Sequence, residues 1–235
     1  MSSTIQRIFI DEKLEPGLIL KLSKEDSNYL ANVLRLENGA KLKIFNEKYG
    51  EFLAEIVSSY HKACEIKILE KLKDTEKLLS IILGFAPIKH YRLCFLIEKA
   101  TELGVTEFQP VITERTINRN VKIDKLFLTG KEASEQSGRI VTPKFHEQIK
   151  IEKFITSYKN HTILAAIESV DAKPFDFELD NDKVVLLVGP EGGFSEREKQ
   201  LLLSQSNVKP VNLGPRILRA ETAVCCLLSS INCKL

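Results

Sequence analysis

Two glycine-containing loops carry the clearest signs of a binding site in this sequence. The first lies in LLVGPEGGFSEREKQLLL, residues 186–203, where an apolar run is followed by GPEGG (189–193) and a charged segment. Glycine permits a positive φ and leaves the backbone bare, so that a ligand can lie against it. Pro190 stiffens the turn, and Ser195 with Glu198 matches the capping box that begins a helix. A tight turn without a ligand is the alternative that this stretch allows.

The common phosphate-binding loops do not match GPEGG. A P-loop requires Gly-Lys-Ser/Thr where Phe194-Ser195 stands, and the dinucleotide fingerprint requires GxGxxG instead of GxxGG. Glu191 would also repel a pyrophosphate, because like charges repel at short range. The loop therefore predicts a ligand that carries a positive charge or donates hydrogen bonds.

The second loop, in NLGPRILRAETAV (212–224), has the same order of features. A Gly-Pro turn at Gly214 is followed by the apolar Ile217 and Leu218, and then by a helix with Glu221 in its first turn, where the helix dipole favours an acid. Two apolar residues beside a glycine could form a slot for a flat ring. The segment TERTINRNVK (113–122) is rich in arginine and predicts either a loop that contacts phosphates or an ordinary solvated loop.

The composition excludes several classes of protein. The 235 residues are 43% hydrophobic and 28% charged with a net charge of +2, as in globular chains of one or two domains. The start lacks the apolar core of a secretory signal, and the longest apolar run, LLSIILGFAPI, is too short to span a bilayer, so we expect a cytoplasmic protein without a membrane partner. No metal site is expected, because the four histidines lack ligand spacing. The five cysteines show neither a disulfide framework nor a zinc pattern.

The elements that position these loops follow from the hydrophobic pattern. Residues 1–72 contain the alternating segments QRIFI, AKLKIFN, GEFLAEIV and CEIKILE, which predict a small antiparallel β-barrel. One short helix is expected in SKEDSNYLANVLR, with Ser23 as its N-cap and Leu30, Val33 and Leu34 on one face.

Residues 73–235 are expected to form a second, α/β domain. After the charged break KLKDTEK, apolar strand segments alternate with helical ones, from LLSIILGF and YRLCFLIEKATELGV to VKPVNLG and AETAVCCLLSSIN. This alternation predicts a parallel sheet with helices on both faces. Because ligands bind beyond the carboxyl ends of such strands, both glycine loops are expected at the binding edge.

Four motifs in order, IEKATELGV, EASEQSGR, LLVGPEGGFSEREK and LGPRILRAETA, resemble the RsmE family of SPOUT methyltransferases. The segments RIFI and NVLRLENGAKLKIFN resemble the PUA-like, RNA-binding barrel of that family. The resemblance implies methylation of uridine N3 in 16S ribosomal RNA, with S-adenosylmethionine as the cofactor. It also implies a trefoil knot in the second domain, a homodimer, and a substrate within the assembled small ribosomal subunit.

The resemblance also implies three cofactor-binding loops. They are the segment after TILAA, the GPEGG loop and the LGPRIL loop, and their residues are Ala166, Ile167, Glu168, Gly189, Pro190, Glu191, Gly192, Gly193, Leu213, Gly214, Arg216, Ile217 and Leu218.

The proposed chemistry needs a cation and a base. Arg219 and Arg92 are candidates to stabilise the uracil anion. Glu98 or Glu135 could accept the proton, although both also fit solvent-facing helix acids. The arginines expected to contact RNA phosphates are Arg7, Arg35, Arg115, Arg119 and Arg139.

Two other readings compete with this one. A SPOUT enzyme of another specificity, such as a ribose 2′-O-methyltransferase, typically lacks the barrel and the EQSGR helix. A non-enzymatic RNA-binding protein would keep the barrel and the arginines but would have no reason for two glycine loops at strand ends, so cofactor binding separates the classes.

Overall fold

The computed structural model describes residues 5–167 and 183–234. The chain divides into two compact units: Met1–Lys77 with Ser134–Thr142, and Leu78–Ala133 with Pro143–Leu235. The predicted boundary after residue 72 assigns residues 134–142 to the second domain, whereas the structure packs that segment with the first unit. No helix in the described ranges is both long and apolar enough to cross a membrane.

The first unit is built on a five-stranded sheet in the order β1-β3-β4-β5-β2. Its strands are β1 (Arg7–Phe9), β2 (Ile19–Lys21), β3 (Lys41–Asn46), β4 (Gly50–Ser58) and β5 (Glu65–Lys73). The pairs β3–β4, β4–β5 and β5–β2 are antiparallel as expected, but β1 pairs with β3 in parallel. The expectation of a wholly antiparallel sheet was therefore wrong, because the long excursion between β1 and β3 acts as the crossover that parallel pairing requires.

The predicted short helix forms, but its inner face differs from the prediction. Helix α1 (Lys24–Asn28) is capped by the Ser23 hydroxyl and continues into a π-helical turn, Tyr29–Val33. Leu30 is buried, as expected, whereas Val33 is 62% exposed. The i to i+5 hydrogen bonding of the π turn lengthens the repeat, so that Val33 does not fall on the face that α-helical spacing predicts.

The second unit alternates strands and helices, as the sequence predicts. Its helices are α2 (His90–Glu102), α3 (Ile123–Ser137), of which residues 134–137 belong to the first unit, α4 (Ile151–Ser157), α5 (Glu196–Leu203) and α6 (Ala220–Asn232). Its strands are β6 (Ser80–Phe85), β7 (Glu107–Ile112), β8 (Lys144–Phe145), β9 (Ile149–Lys150), β10 (Ile163–Ala166), β11 (Lys183–Val188) and β12 (Val208–Val211).

The sheet of the second unit is parallel at every pair of its described strands, in the order β12-β10-β11-β6-β7-β8, with β9 also on β7. Helices cover both faces. Leu186 of β11 packs in the core with α2 and α6, and its neighbour Leu187 packs in the core with α4 and α5. This burial on both faces explains why the central strands are continuously apolar.

The carboxyl ends of β10, β11 and β12 lie side by side and determine where the candidate binding site lies. Ala166 is in register with Val188 on one side and with Val211 on the other. Since the strands are parallel, the segments that follow β10, β11 and β12 leave the sheet at the same edge. The trefoil knot stays a prediction, and residues 168–182, between β10 and β11, lie outside the described residues.

Arg7 connects residues 134–142 to the rest of the first unit. The Nε of Arg7 donates to Glu51 Oε2 at 2.6 Å, and its Nη1 donates to the carbonyl oxygens of Ser134 and Glu135 at 2.9 Å each. Its Nη2 donates to the carbonyl of Arg139 at 3.1 Å. Glu51 is 1% exposed, so this ion pair belongs to the interior of the unit.

Candidate functional site

The segments after β10, β11 and β12 surround one cleft of about 350 Å³ in the second unit. This volume falls in the usual range of small-molecule sites. Apolar side chains and bare backbone make up most of the lining, with a few polar and cationic groups. The lining residues are Arg115, Ala166, Ile167, Val188, Gly189, Pro190, Gly192, Gly193, Phe194, Lys199, Val211, Asn212, Leu213, Gly214, Pro215, Arg216, Ile217, Leu218, Ala220 and Ala223.

The GPEGG loop is a tight turn whose geometry favours glycine at positions 189 and 193. The N–H of Gly193, which has a φ of +67°, donates to the carbonyl of Pro190 at 2.8 Å. At Gly189 an added Cβ would lie 3.1 Å from the ring of Phe194, which is buried below the turn. The loop therefore presents backbone to the cleft, as the sequence predicts.

The LGPRIL loop forms the opposite wall. Gly214 has a φ of +108°, and its N–H donates to Asn212 Oδ1 at 2.8 Å. Leu218 is half-buried against the core of the sheet, whereas Ile217 is 85% exposed. An apolar side chain so exposed at the rim of a cleft is available to cover a flat ring.

Most of the predicted cofactor residues line this cleft, with two exceptions. Glu191 is exposed and is not part of the lining. Glu168 lies outside the described residues. The prediction had also missed the apolar floor of Val188, Phe194 and Val211, although two of these are the last residues of their strands and could have been found from that position.

Arg115 occupies a place that the sequence did not indicate. It was expected to contact RNA phosphates, but it lines the cleft, and its Nη1 donates to the carbonyl of Gly192 at 2.6 Å. A contact across 77 residues of sequence leaves no local pattern, so sequence reasoning could not have found it.

Arg92 lies close to carboxylates from two of the elements beside the cleft. Its Nε donates to Tyr91 Oη at 2.8 Å and lies 3.8 Å from Glu221 Oε1, in the first turn of α6. The hydrogen bond to Tyr91, together with the charges of Glu221 and Glu191, raises the pKa of the guanidinium above its usual value. The exposed Arg219 is the N-cap of α6, between the lining residues Leu218 and Ala220.

Comparisons with known proteins decide the family. The model of an RNA methyltransferase domain matches residues 75–232, and that of an RNA methyltransferase PUA domain matches residues 22–69. The ribosomal RNA small subunit methyltransferase E of Rickettsia conorii is 33% identical, and the alignment covers 96% of this chain and 94% of the relative. The chain belongs to this methyltransferase E family.

Solved structures of similar proteins agree with the fold of this family member. A putative methyltransferase from Legionella pneumophila, in complex with bound S-adenosylmethionine, has 30% identity and a TM-score of 0.91, covering 99% of this chain and 98% of that one. The methyltransferase E from Neisseria gonorrhoeae, also bound to S-adenosylmethionine, has 29% identity and a TM-score of 0.89, with 98% of both chains covered. The fold class predicted from sequence, an α/β domain after a PUA-like domain, is confirmed.

Neither acid named as a candidate base of this methyltransferase lies in the lining of the cleft. Glu98 is half-exposed on α2 and accepts a hydrogen bond from Lys99 Nζ at 2.8 Å. Glu135 belongs to the first unit, where its Oε1 accepts from the backbone N–H of Phe9 at 3.0 Å. Both contacts favour structural roles.

Two of the arginines expected to contact RNA make hydrogen bonds within the first unit. Arg7 is held by Glu51 and the three carbonyls described above. Arg139 is 9% exposed and donates from Nε to the carbonyl of Val141 at 2.8 Å. Burial lowers its pKa to about 10, because the charged form is less well solvated there. The structure uses both guanidinium groups for contacts within the first unit, and their contact with RNA stays a prediction.

The other two arginines are exposed. Arg35 has a φ of +53°, which is unusual for a residue other than glycine. Arg119 is exposed and donates to the carbonyls of Thr116 and Glu114 at 3.3 and 3.5 Å, within its own loop. Among the described residues no group of three or more His, Cys, Asp or Glu side chains could hold a metal ion.

Proposed function

We propose that this protein transfers a methyl group from S-adenosylmethionine to N3 of a specific uridine in 16S ribosomal RNA. The observation that carries the proposal is the single cleft at the carboxyl ends of three adjacent parallel strands, lined by the bare backbone of the predicted loops. Two relatives of similar fold hold S-adenosylmethionine.

The lining of the cleft fits this cofactor chemically. The glycine backbone offers N–H and C=O groups for the polar edges of an adenine, and Leu218 with the exposed Ile217 can pack on its ring. Arg115 and Lys199 add positive charge suited to the carboxylate of the methionine portion. The cofactor supplies a methyl group on a positively charged sulfur.

The protein's part in the reaction is alignment and charge stabilisation. N3 of uracil must lose a proton before it can attack, and the negative charge then spreads over the ring oxygens. We assign Arg92 and Arg219 to stabilise that charge, because Arg92 lies 3.8 Å from Glu221 in the first turn of α6, and Arg219 is the N-cap of that helix beside the lining residue Ala220. No base is assigned, since Glu98 and Glu135 are engaged in other contacts.

The PUA domain is proposed to bind the RNA, with Arg35 of this domain and Arg119 of the second unit as phosphate contacts. The target base must be exposed or flipped, because base edges in paired RNA are hard to reach. We further propose that the protein acts in the cytoplasm as a homodimer and that its substrate is the assembled small subunit.

The test is to incubate the full chain with methyl-labelled S-adenosylmethionine and small ribosomal subunits from cells that lack the native enzyme. The RNA is then digested and the labelled nucleoside identified. Label in 3-methyluridine is the expected result. Label in a 2′-O-methylated nucleoside would replace the N3 assignment, and no label together with no cofactor binding would overturn the methyltransferase function.

A further inference from the structure

The buried carboxylate of Glu198 lies outside the cleft, and its hydrogen bonds connect two segments that lie beside the cleft. Glu198, on α5, is 2% exposed, and each of its oxygens accepts a backbone hydrogen bond. Its Oε2 accepts from the N–H of Ser195 at 2.9 Å and thereby completes the capping box of the helix. Its Oε1 accepts from the N–H of Glu114 at 2.8 Å, in the loop that follows β7. The capping box accounts for the first contact but not for the second.

The loop that Glu198 holds is itself well ordered by internal contacts. The hydroxyl oxygens of Thr113 and Thr116 are 2.8 Å apart, and the Thr116 oxygen also accepts from the N–H of Thr113 at 2.9 Å. Both threonines are buried. The hydrogen bond from the Glu114 N–H to Glu198 therefore helps to hold the loop from which the Arg115 side chain extends.

Arg115 connects this loop to the glycine loop. Its Nη1 donates to the carbonyl of Gly192, and this oxygen is its sole hydrogen-bond partner among the residues that the structure describes. An arginine has five N–H donors, so most of the donors of the Arg115 guanidinium are available to a ligand. The contacts thus run from Glu198 through the Glu114 amide and the Arg115 side chain to Gly192.

We propose that Glu198 is a positioning residue that holds Arg115 over the cleft, so that the guanidinium can bind the carboxylate of S-adenosylmethionine. The proposal rests on the proposed function, since it concerns the same cofactor. It assigns to Glu198 a role in ligand binding that a helix cap alone does not have.

Two substitutions separate the two contacts of this carboxylate. Glu198→Gln keeps the helix cap, because a glutamine at this position also completes a capping box, but its amide group cannot accept the Glu114 N–H as well. Ser195→Ala removes the hydroxyl half of the cap and leaves the contact between Glu198 and Glu114 in place. It is therefore the matched control.

The experiment measures the dissociation constant of S-adenosylmethionine by calorimetry on the full chain. We expect Glu198→Gln and Arg115→Ala each to weaken binding by about tenfold or more, the usual effect of losing one charged hydrogen bond. The double variant should be no weaker than the single ones, because both changes remove the same interaction. Ser195→Ala should lower the melting temperature and change the dissociation constant by less than about twofold.

Hydrogen exchange of the protein without cofactor supplies a second readout. The amides of residues 113–116 should exchange faster in Glu198→Gln than in the wild type and should be unchanged in Ser195→Ala.

Equal effects of Glu198→Gln and Ser195→Ala on cofactor binding would overturn the proposal in favour of a simple helix cap. Additive effects of Glu198→Gln and Arg115→Ala would also overturn it. If the wild type binds no S-adenosylmethionine but its 113–116 amides respond to Glu198→Gln as expected, the proposed function fails and the contact is only structural.

Discussion

Single residues in the cleft loops owe their identity to backbone geometry. Gly214 is the clearest case, because its φ of +108° is one that residues with a Cβ rarely adopt, and no atom lies within 4 Å of the site of an added Cβ. A substitution there would therefore act through the backbone conformation and not through a steric clash.

We predict that Gly214→Ala lowers the free energy of unfolding by about 1–2 kcal/mol and weakens S-adenosylmethionine binding, because the loop must shift to relieve the strain. Calorimetry and denaturant unfolding measure the two effects. Gly39→Ala is the matched control: it has a φ of +86° with equal space around it, but it lies in the first unit. The prediction fails if both variants bind the cofactor like the wild type.

Arg35 presents the opposite situation, a long charged side chain at a positive φ. We predict that Arg35→Gly changes the free energy of unfolding by less than about 1 kcal/mol, because relief of strain offsets the greater freedom of glycine in the unfolded chain. Affinity for the RNA should fall and depend less on salt. Filter binding at several salt concentrations tests this, with Lys41→Gln as the control for loss of one exposed charge. Equal effects of the two variants would remove Arg35 from the RNA contacts.

Secondary-structure elements were the most predictable level of this protein. Helices α2 and α6 begin and end close to the predicted segments YRLCFLIEKATELGV and AETAVCCLLSSIN, since each has a clear apolar face. Gly104 follows α2 and Gly138 follows α3, both at positive φ. The strands β2, β8 and β9, of two or three residues each, were not predicted.

One contact between elements is close enough to test. A Cβ added to Gly84 of β6 would lie 2.5 Å from the ring of Phe154 on α4. We predict that Gly84→Ala lowers the free energy of unfolding by about 1–3 kcal/mol through overpacking. Adding Phe154→Leu should restore part of that loss, because the smaller side chain leaves room for the methyl group. Thermal unfolding of both variants measures this, and a double variant less stable than Gly84→Ala would contradict it.

At the scale of the whole molecule, the first unit depends on a segment far away in the sequence. The guanidinium of Arg7 needs the carbonyls of residues 134–139 as acceptors and keeps the buried Glu51 paired. A fragment that ends at residue 77 lacks those acceptors.

We therefore predict that the isolated 1–77 fragment unfolds at a lower denaturant concentration than the same unit in the full chain. Arg7→Ala should cost about 3 kcal/mol in the full chain, because the buried Glu51 then keeps only its longer contact with Lys43, at 3.6 Å, and less in the fragment. Lys13→Ala, which breaks an exposed pair with Glu15, should change the denaturation midpoint far less than Arg7→Ala does in the full chain, and equally little in both backgrounds. Equal losses for Arg7→Ala in the two backgrounds would contradict the role of the segment.

The sequence by itself determined the local structure: the alternation of strands and helices, the capping box at Ser195, and the glycine turns after β11 and β12. These features are encoded by residues within a few positions of one another, through hydrophobic period, end signals and backbone freedom. The resemblance to the RsmE family added the prediction that the segment after β10 is a third cofactor-binding loop.

Only the tertiary structure decided which distant residues meet. It placed β10 between β11 and β12, so that three loops share one cleft, and brought Arg115 to Gly192. It also brought Arg7 and Arg139, which were predicted to contact RNA, into hydrogen bonds with backbone carbonyls of the first unit. Such contacts depend on strand order and on packing between segments far apart in the chain, which no local pattern specifies.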